Sequence, residues 1–382
     1  MKKYNEIKML EFILLVTILL FFICFYIYLK WQHPFWFIQP VYHRFNIFYW
    51  GGRPREIRKD LPIKNKYYCP EIKFLKSDEV QWKAITNFVC EHFLKNGTND
   101  YTPTINELEP YFKSHNFSSF VSIYHQPEHT FKTTTEKIVG MITSRPLYIK
   151  NLSKTVYYVD FLCIDKEERK RGLASKLIQT HDYHQSHNSN IQVSLFRREG
   201  TVPYIVPLVR FQCVVFSMKF WIQSKHPPKY KIIRVTPLTM HILYEFIHKQ
   251  TCEMFIYNDI ANLQELVRTN NVMIYMCLEN DNVVCCYFFR KTCTVYQKKE
   301  ILTLYASLKG NDFVDLFKCS LSYLMKSHKN FAYLCVEEIG DNILISDNLK
   351  IKSTPIETID CGYYFYNYIH KQIKPKNFFM LN

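Results

Sequence analysis

The chain has 382 residues, 48% hydrophobic and 16% aromatic with only 9 glycines, which excludes a low-complexity chain and, by length, a single small module. A formal charge of +15 and a pI near 9.1 call for an anionic partner. Lys and Arg are nevertheless scattered through both halves, without zinc-finger spacing, an RNP-type motif or a basic heptad array, so nucleic acid is not expected as a partner.

Residues 12–29, FILLVTILLFFICFYIYL, carry no charge and as a helix would be about 27 Å long, close to the hydrocarbon thickness of a bilayer. They are expected to form a transmembrane anchor in contact with membrane lipid, with Tyr26, Tyr28, Trp31, Phe35 and Trp36 as an aromatic belt. The alternative is a cleaved signal peptide, but the run is long for one, and Lys30-Trp31-Gln32-His33 offers no small residues for cleavage. Lysines precede the run and Lys30, Arg44, Arg53, Arg55, Arg58 and Lys59 follow it, so charge does not decide the orientation. The 13 cysteines include no C-x-x-C and are odd in number. They read as free buried thiols and favour a body in the cytosol. Triplets at Asn96, Asn116 and Asn151 would be glycosylation sites only in a lumenal body.

A basic linker over 51–66 leads to a helix expected over 79–95, where Val80, Ile85, Phe88, Val89 and Phe93 recur at helical spacing before Asn96-Gly97. Strands are expected at 120–124, 137–143 and 156–164, then a helix over 170–184 and a strand at 191–196. From Lys231 a similar order starts again, with a helix over 240–250, strands at 272–278 and 283–289, and a helix over 313–325. This predicts a mixed α/β fold built as two α/β halves. The expected boundaries are 1–33 for the anchor, 34–225 for the first half and 226–382 for the second.

Between the strand at 156–164 and the helix that follows it, Arg169-Lys170-Arg171-Gly172-Leu173-Ala174 fits R-x-x-G-x-A/G, the acyl-CoA signature of the GNAT superfamily. A helix start has unpaired N–H groups and positive potential, small residues permit close approach, and basic side chains add charge, so the segment is suited to a pyrophosphate. The plainer alternative is a surface helix with a basic first turn. His181, His184 and His187 follow at spacings of three and read as exposed histidines on one face. With no carboxylate or cysteine to complete a set, no metal is expected.

Phe161-Leu162-Cys163-Ile164-Asp165-Lys166 resembles the F-L-C-V-H-K of the N-myristoyltransferases, and that family's K-L-R-S-K-R-[LV]-A then falls without a gap on Glu167 to Ala174. Phe35-Trp36-Phe37-Ile38-Gln39-Pro40-Val41 resembles F-W-x-T-Q-P-V, Tyr363-Tyr364-Phe365-Tyr366-Asn367-Tyr368 resembles Y-Y-L-Y-N-W, and Phe378-Phe379-Met380-Leu381-Asn382 resembles the family's apolar tail. The resemblance implies two tandem GNAT-like halves after one transmembrane helix, the first half binding myristoyl-CoA and the second building most of a peptide groove. It also implies an acyl-CoA site of Phe35, Trp36, Phe161, Leu162, Cys163, Ile164 and residues 169–174, with the backbone N–H groups of Phe161 and Leu162 as an oxyanion hole. The Asn382 carboxylate would be the general base, and Asp360, Gly362 and Tyr364 would bind substrate. The implied reaction moves myristate from CoA directly to the N-terminal glycine amine of a protein, and a CoA ligand again favours a cytosolic body.

The sequence departs from the family in its acceptor half. Y-T-A-G-V-V-L-P becomes Phe196-Arg197-Arg198-Glu199-Gly200-Thr201-Val202-Pro203, C-R-Y-W-H becomes Val209-Arg210-Phe211-Gln212-Cys213, and G-D-G becomes Asp360-Cys361-Gly362. The peptide-reading Thr and His are replaced, so glycine selectivity is open to change. Two other readings are a GNAT acetyltransferase using acetyl-CoA and a catalytically silent membrane protein on this fold.

Overall fold

The computed structural model describes residues 2–94, 99–129, 134–200, 202–218, 227–328 and 330–382. The chain divides into two compact units, Met1–Val41 and Tyr42–Asn382. The first contains α1 (Lys2–Gln32). Its part Met9–Gln32, with a mean hydropathy of 2.9, is long and apolar enough to cross a membrane.

The second unit begins with β1 (Arg55–Glu56), β2 (Ile72–Lys76), α2 (Trp82–His92), β3 (Asn99–Tyr101), α3 (Ile105–Leu108), β4 (Phe120–His129), β5 (Thr134–Ile149), β6 (Lys154–Ile164), α4 (Leu173–Ser189), β7 (Ser194–Glu199) and β8 (Val209–Ser217). It continues with β9 (Tyr230–Arg234), α5 (Met240–Lys249), β10 (Met254–Tyr257), α6 (Ile260–Arg268), β11 (Val272–Glu279), β12 (Asn282–Tyr296), β13 (Lys299–Leu308), α7 (Phe313–Ser327), β14 (Phe331–Glu337), α8 (Asn342–Lys352), β15 (Glu357–Tyr366), β16 (Tyr368–Ile369) and β17 (Phe378–Met380). Every helix and strand expected from the sequence within this unit is present, most with shifted ends. The expected stop at Asn96-Gly97 lies outside the described residues.

One sheet runs through the body in the order β17-β10-β5-β6-β7-β15-β8-β14-β13-β12-β11-β9, with β4 and then β2 along the rest of β5 and β3 against β12. The two expected halves share this sheet: β15, late in the chain, lies between β7 and β8, and β10 pairs with the end of β5. Seven of the eight β11 residues are buried, the pattern of a strand covered on both faces.

Helix α4 seats on β5 through Leu173 and Leu177, which pack with Cys69, Ile72, Val139 and Ile142. The approach is close at Gly140, where an added Cβ would lie 2.9 Å from Leu177 Cδ1. A side chain there would have to push the ends of Leu177 and Leu173 aside.

Candidate active site

Strands β6 and β7 are parallel and pair from Tyr157 opposite Ser194 to Val159 opposite Phe196. Beyond Val159 they part, although β6 runs on to Ile164. At that opening Met141 faces Cys163 and Thr143 faces Asp160, so Ile142 alone stands across from both Phe161 and Leu162. One residue against two is a β-bulge, which breaks the ladder and re-aims the backbone.

Phe161 takes φ +47, a left-handed conformation that strains a bulky residue. Packing holds it there, because its ring is buried against Phe93, Tyr101 and Phe112. The Phe161 N–H donates to Asp160 Oδ1 at 2.9 Å, and Arg145 Nη1 stands 3.5 Å from Asp160 Oδ2. Leu162 is 38% exposed. Next to it Cys163 is buried, and burial pushes its thiol up to about 12, as befits a packing residue rather than a nucleophile.

The loop from β6 to α4 is built from local contacts. Asp165 accepts the Glu167 N–H at 3.1 Å and pairs with Lys137 at 2.8 Å. Burial works against its charge, but these bonds hold the carboxyl below the usual carboxylate range. Lys170 and Gly172 have φ +66 and +80, and α4 starts with no side-chain cap and no acidic residue in its first turn. N–H groups at such a start are open to an anion. A Cβ at Gly172 would meet nothing within 4 Å, so the glycine answers a backbone need rather than crowding.

The two arginines of this loop are already engaged. Arg169 Nη2 donates to His92 O at 2.6 Å and its Nε to Ile164 O at 3.2 Å, while Arg171 pairs with Glu168 at 2.7 Å. Arg169 thus braces the loop onto α2 as well as placing positive charge at its mouth.

The apolar tail is packed into the core. β17 pairs in parallel with β10, Phe378 stacks on Tyr363 and Phe379 on Phe255, and Leu381 N–H donates to Ile256 O at 2.9 Å. Asn382 is buried and meets Arg290, whose Nη1 lies 3.4 Å from a terminal oxygen and 3.2 Å from Oδ1. Arg290 Nη2 reaches Glu337 Oε1 at 3.1 Å, and Arg197 Nη1 reaches the same oxygen at 2.8 Å. Burial opposes charge on both arginines, but the shared Glu337 carboxylate raises their pKa. Arg145 thus pairs with Asp160, and Arg197 and Arg290 share Glu337, as interior charges require partners.

The bulge and the terminus reach a common wall. Arg145 lies over the Tyr158 and Tyr111 rings, Tyr158 meets Tyr363 at 6.4 Å between ring centres, and Tyr363 stacks on Phe378 of the tail. Tyr111, pushed up to about 12 chiefly by burial, senses Arg290, Arg145 and Asp160.

Residues 89–181, from the last turn of α2 to the middle of α4, match the acetyltransferase (GNAT) family model. The chain is similar in structure to Saccharomyces cerevisiae N-myristoyltransferase with bound myristoyl-CoA, at TM-score 0.69 and 16% identity over 90% of each chain. It is also similar to that yeast enzyme with myristoyl-CoA and inhibitors, at TM-score 0.69 and 15% identity over 90% of this chain and 92% of the other. The body has the N-myristoyltransferase fold. A tandem GNAT protein from the clavulanic acid biosynthesis pathway aligns at TM-score 0.52 and 8% identity, over 79% of this chain and all of that one. No curated protein sequence matches significantly. The segment is GNAT-like and the fold is shared with the yeast acyltransferase.

On this N-myristoyltransferase-like frame the expected acceptor residues are spread out. Asp360 is exposed and accepts from Gln212 Nε2 at 3.0 Å. Gly362 pairs with Arg198 and Arg210, and an added Cβ would press on the Tyr364 ring at 3.0 Å. Tyr364 is buried against Phe196, its hydroxyl 3.4 Å from Val202 N. Its neighbour Tyr363, on the opposite face of β15, is the tyrosine near Glu337, Tyr158, Arg197 and Arg290. Phe35 and Trp36 belong to the first unit, where their rings meet edge to face at 5.2 Å.

The histidine reading needs correction. His181 is buried, held between Ser122 Oγ and Ser144 Oγ at 2.8 Å each, because α4 turns this face onto β4 and β5. His184 lies against Tyr68 and Phe74. Among the described residues no cluster of His, Cys, Asp and Glu is placed to hold a metal. Asp160, Arg145, Arg290 and Glu337 belong to no motif in the sequence. The signal available was a charged residue inside or ending an apolar strand, as at Phe288-Phe289-Arg290 and Cys335-Val336-Glu337.

Proposed function

We propose that this protein transfers a long acyl group, myristoyl, from CoA to an N-terminal amine, glycine's in the family it resembles, without an acyl-enzyme. The observation that carries the reading is the parting of β6 and β7 at a strained bulge, with the uncapped start of α4 on one side and a buried terminal carboxylate near the same tyrosine wall.

In this reading the CoA phosphates lie on the N–H groups at the start of α4, with Arg169, Lys170, Arg171, Gly172, Leu173 and Ala174 around them. The pantetheine runs along Cys163 and Ile164. The acceptor amine attacks the thioester carbonyl, whose oxygen gains charge against the N–H groups of Phe161 and Leu162. Collapse expels the CoA thiolate, and the Asn382 carboxylate takes the proton the amine gives up. Arg290 positions that carboxylate. Asp360, Gly362 and Tyr364 shape the acceptor strand, and Arg197 and Cys213 stand where the family has its peptide-reading Thr and His. The anchor would keep the enzyme single-pass with its body toward the cytosol, where thiols stay reduced.

Acyl length separates this from an acetyltransferase. Myristoyl-CoA is expected to displace a fluorescent acyl-CoA at far lower concentration than acetyl-CoA, because each buried CH2 contributes about 0.8 kcal/mol. Equal potency of the two would favour the acetyltransferase, and displacement by neither would favour the silent protein.

A further inference from the structure

The Phe161 N–H, assigned above to the oxyanion, is already taken. Asp160 Oδ1 accepts it at 2.9 Å, and a hydrogen bond to a carboxylate is about twice as strong as one to a neutral acceptor. A thioester carbonyl is a neutral and weak acceptor, so it cannot displace that carboxylate by hydrogen bonding alone. A carboxylate held beside the hole also opposes the negative charge that an attacked carbonyl develops.

A second place for the Asp160 carboxylate exists within the same few ångströms. Its other oxygen, Oδ2, is 3.5 Å from Arg145 Nη1, at the outer edge of hydrogen bonding. Arg145 is buried, its guanidinium 4.8 Å from the Tyr158 ring centre, 5.3 Å from Tyr111 and 5.6 Å from Phe112. That packing fixes the cation, while the Asp160 side chain is 31% exposed. The backbone of Asp160 is pinned independently, because Thr143 Oγ1 donates to its carbonyl at 3.0 Å. Asp160 can therefore exchange partners by turning its side chain alone.

We propose that Asp160 is a latch on the oxyanion donor: its carboxylate closes the Phe161 N–H, and the hole opens when that carboxylate swings onto Arg145. The inference rests on the bulge being the acyl-transfer centre, and it makes Asp160 a positioning residue, acting through Phe161. Acyl-CoA bound to the latched site keeps an unpolarised carbonyl, which holds the thioester against water.

The test is the carbon-13 resonance of myristoyl-CoA labelled at its carbonyl, bound to the full-length protein in detergent micelles, for wild type, Asp160→Asn and Asp160→Ala. A polarised carbonyl moves downfield. The expected order is wild type near the free ligand, D160N downfield of it and D160A furthest, because Asn keeps a weaker neutral acceptor and Ala keeps none. Release of free CoA to water and transfer to an amine are expected to rise on the order of tenfold in D160N. Removing the partner of Arg145 can unfold D160A, so melting curves accompany the spectra, and D160N alone then carries the comparison. Equal shifts in wild type and D160N, or a wild-type carbonyl already furthest downfield, would overturn the latch. Failure of the ligand to bind any of the three proteins would overturn the acyl-transfer reading, and the latch with it.

Discussion

Arg290 touches a terminal oxygen and Oδ1 of Asn382 and the Glu337 carboxylate at once, so its removal acts on two carboxylates. Arg290→Gln is expected to lower kcat strongly while leaving acyl-CoA affinity unchanged, and to cost about 3–5 kcal/mol of stability as a broken buried pair. Arg290→Lys keeps the charge but not the fork and should fall between. Rate and acyl-CoA affinity measured on the three proteins decide it: a parallel loss of affinity would place Arg290 in the cofactor site instead. At the other end, Arg169→Glu with Arg171→Glu is expected to weaken acyl-CoA binding by roughly 3 kcal/mol or more, since a charge-assisted contact contributes about 1.5–3 kcal/mol. Part of that loss comes from freeing His92 O and Ile164 O, which Arg169 now holds; calorimetry with CoA would show an unchanged affinity if the phosphates sit elsewhere. Residues 169–174 were legible in the sequence because strand, turn and helix start are contiguous there. Arg290 and Glu337 lie 47 residues apart and meet only through the pairing of β12, β13 and β14, which no local pattern encodes.

Helix α4 ties the site to the core and makes the body sensitive to acid. His181 is buried between two serines, and burial first, then the neighbouring His184, lowers its pKa from 6.5 to about 3. Burial also lowers His184 on the same helix. The unfolded chain binds these protons near pH 6.5 and the folded chain does not, so stability is complete above about 6.5 and is lost as pH falls toward about 3. The loss approaches several kcal/mol for a fully buried imidazole. Thermal melting from pH 7.5 to 4 is expected to show a falling Tm, with a flatter slope in His181→Asn, and equal slopes would mean that His181 is not the sensor. At this scale the sequence was read best where periodicity was clean, as in α2 and β6. The short strands β10 and β17 were not separable from loops. The run over β11 and β12 gave apolar stretches without showing that β12 continues to Tyr296.

For the whole molecule, strands from the two expected halves interleave in one sheet. β15 lies between β7 and β8, and its place was not legible because a strand's neighbours depend on crossovers far apart in sequence. The order of the motifs along the chain was legible, and the N-myristoyltransferase fold agrees with it. What the departures leave to chemistry is the acceptor, since Arg197 stands in the strand that carries the peptide-reading Thr in the family. The decisive measurement is mass spectrometry of a peptide beginning with glycine, incubated with the full-length protein in micelles and an equal mixture of acetyl-CoA and myristoyl-CoA. The account predicts a product heavier by one myristoyl group on the N-terminal amine, absent when that amine is blocked. An acetylated product, or transfer to a lysine with the N-terminal amine left free, would contradict it.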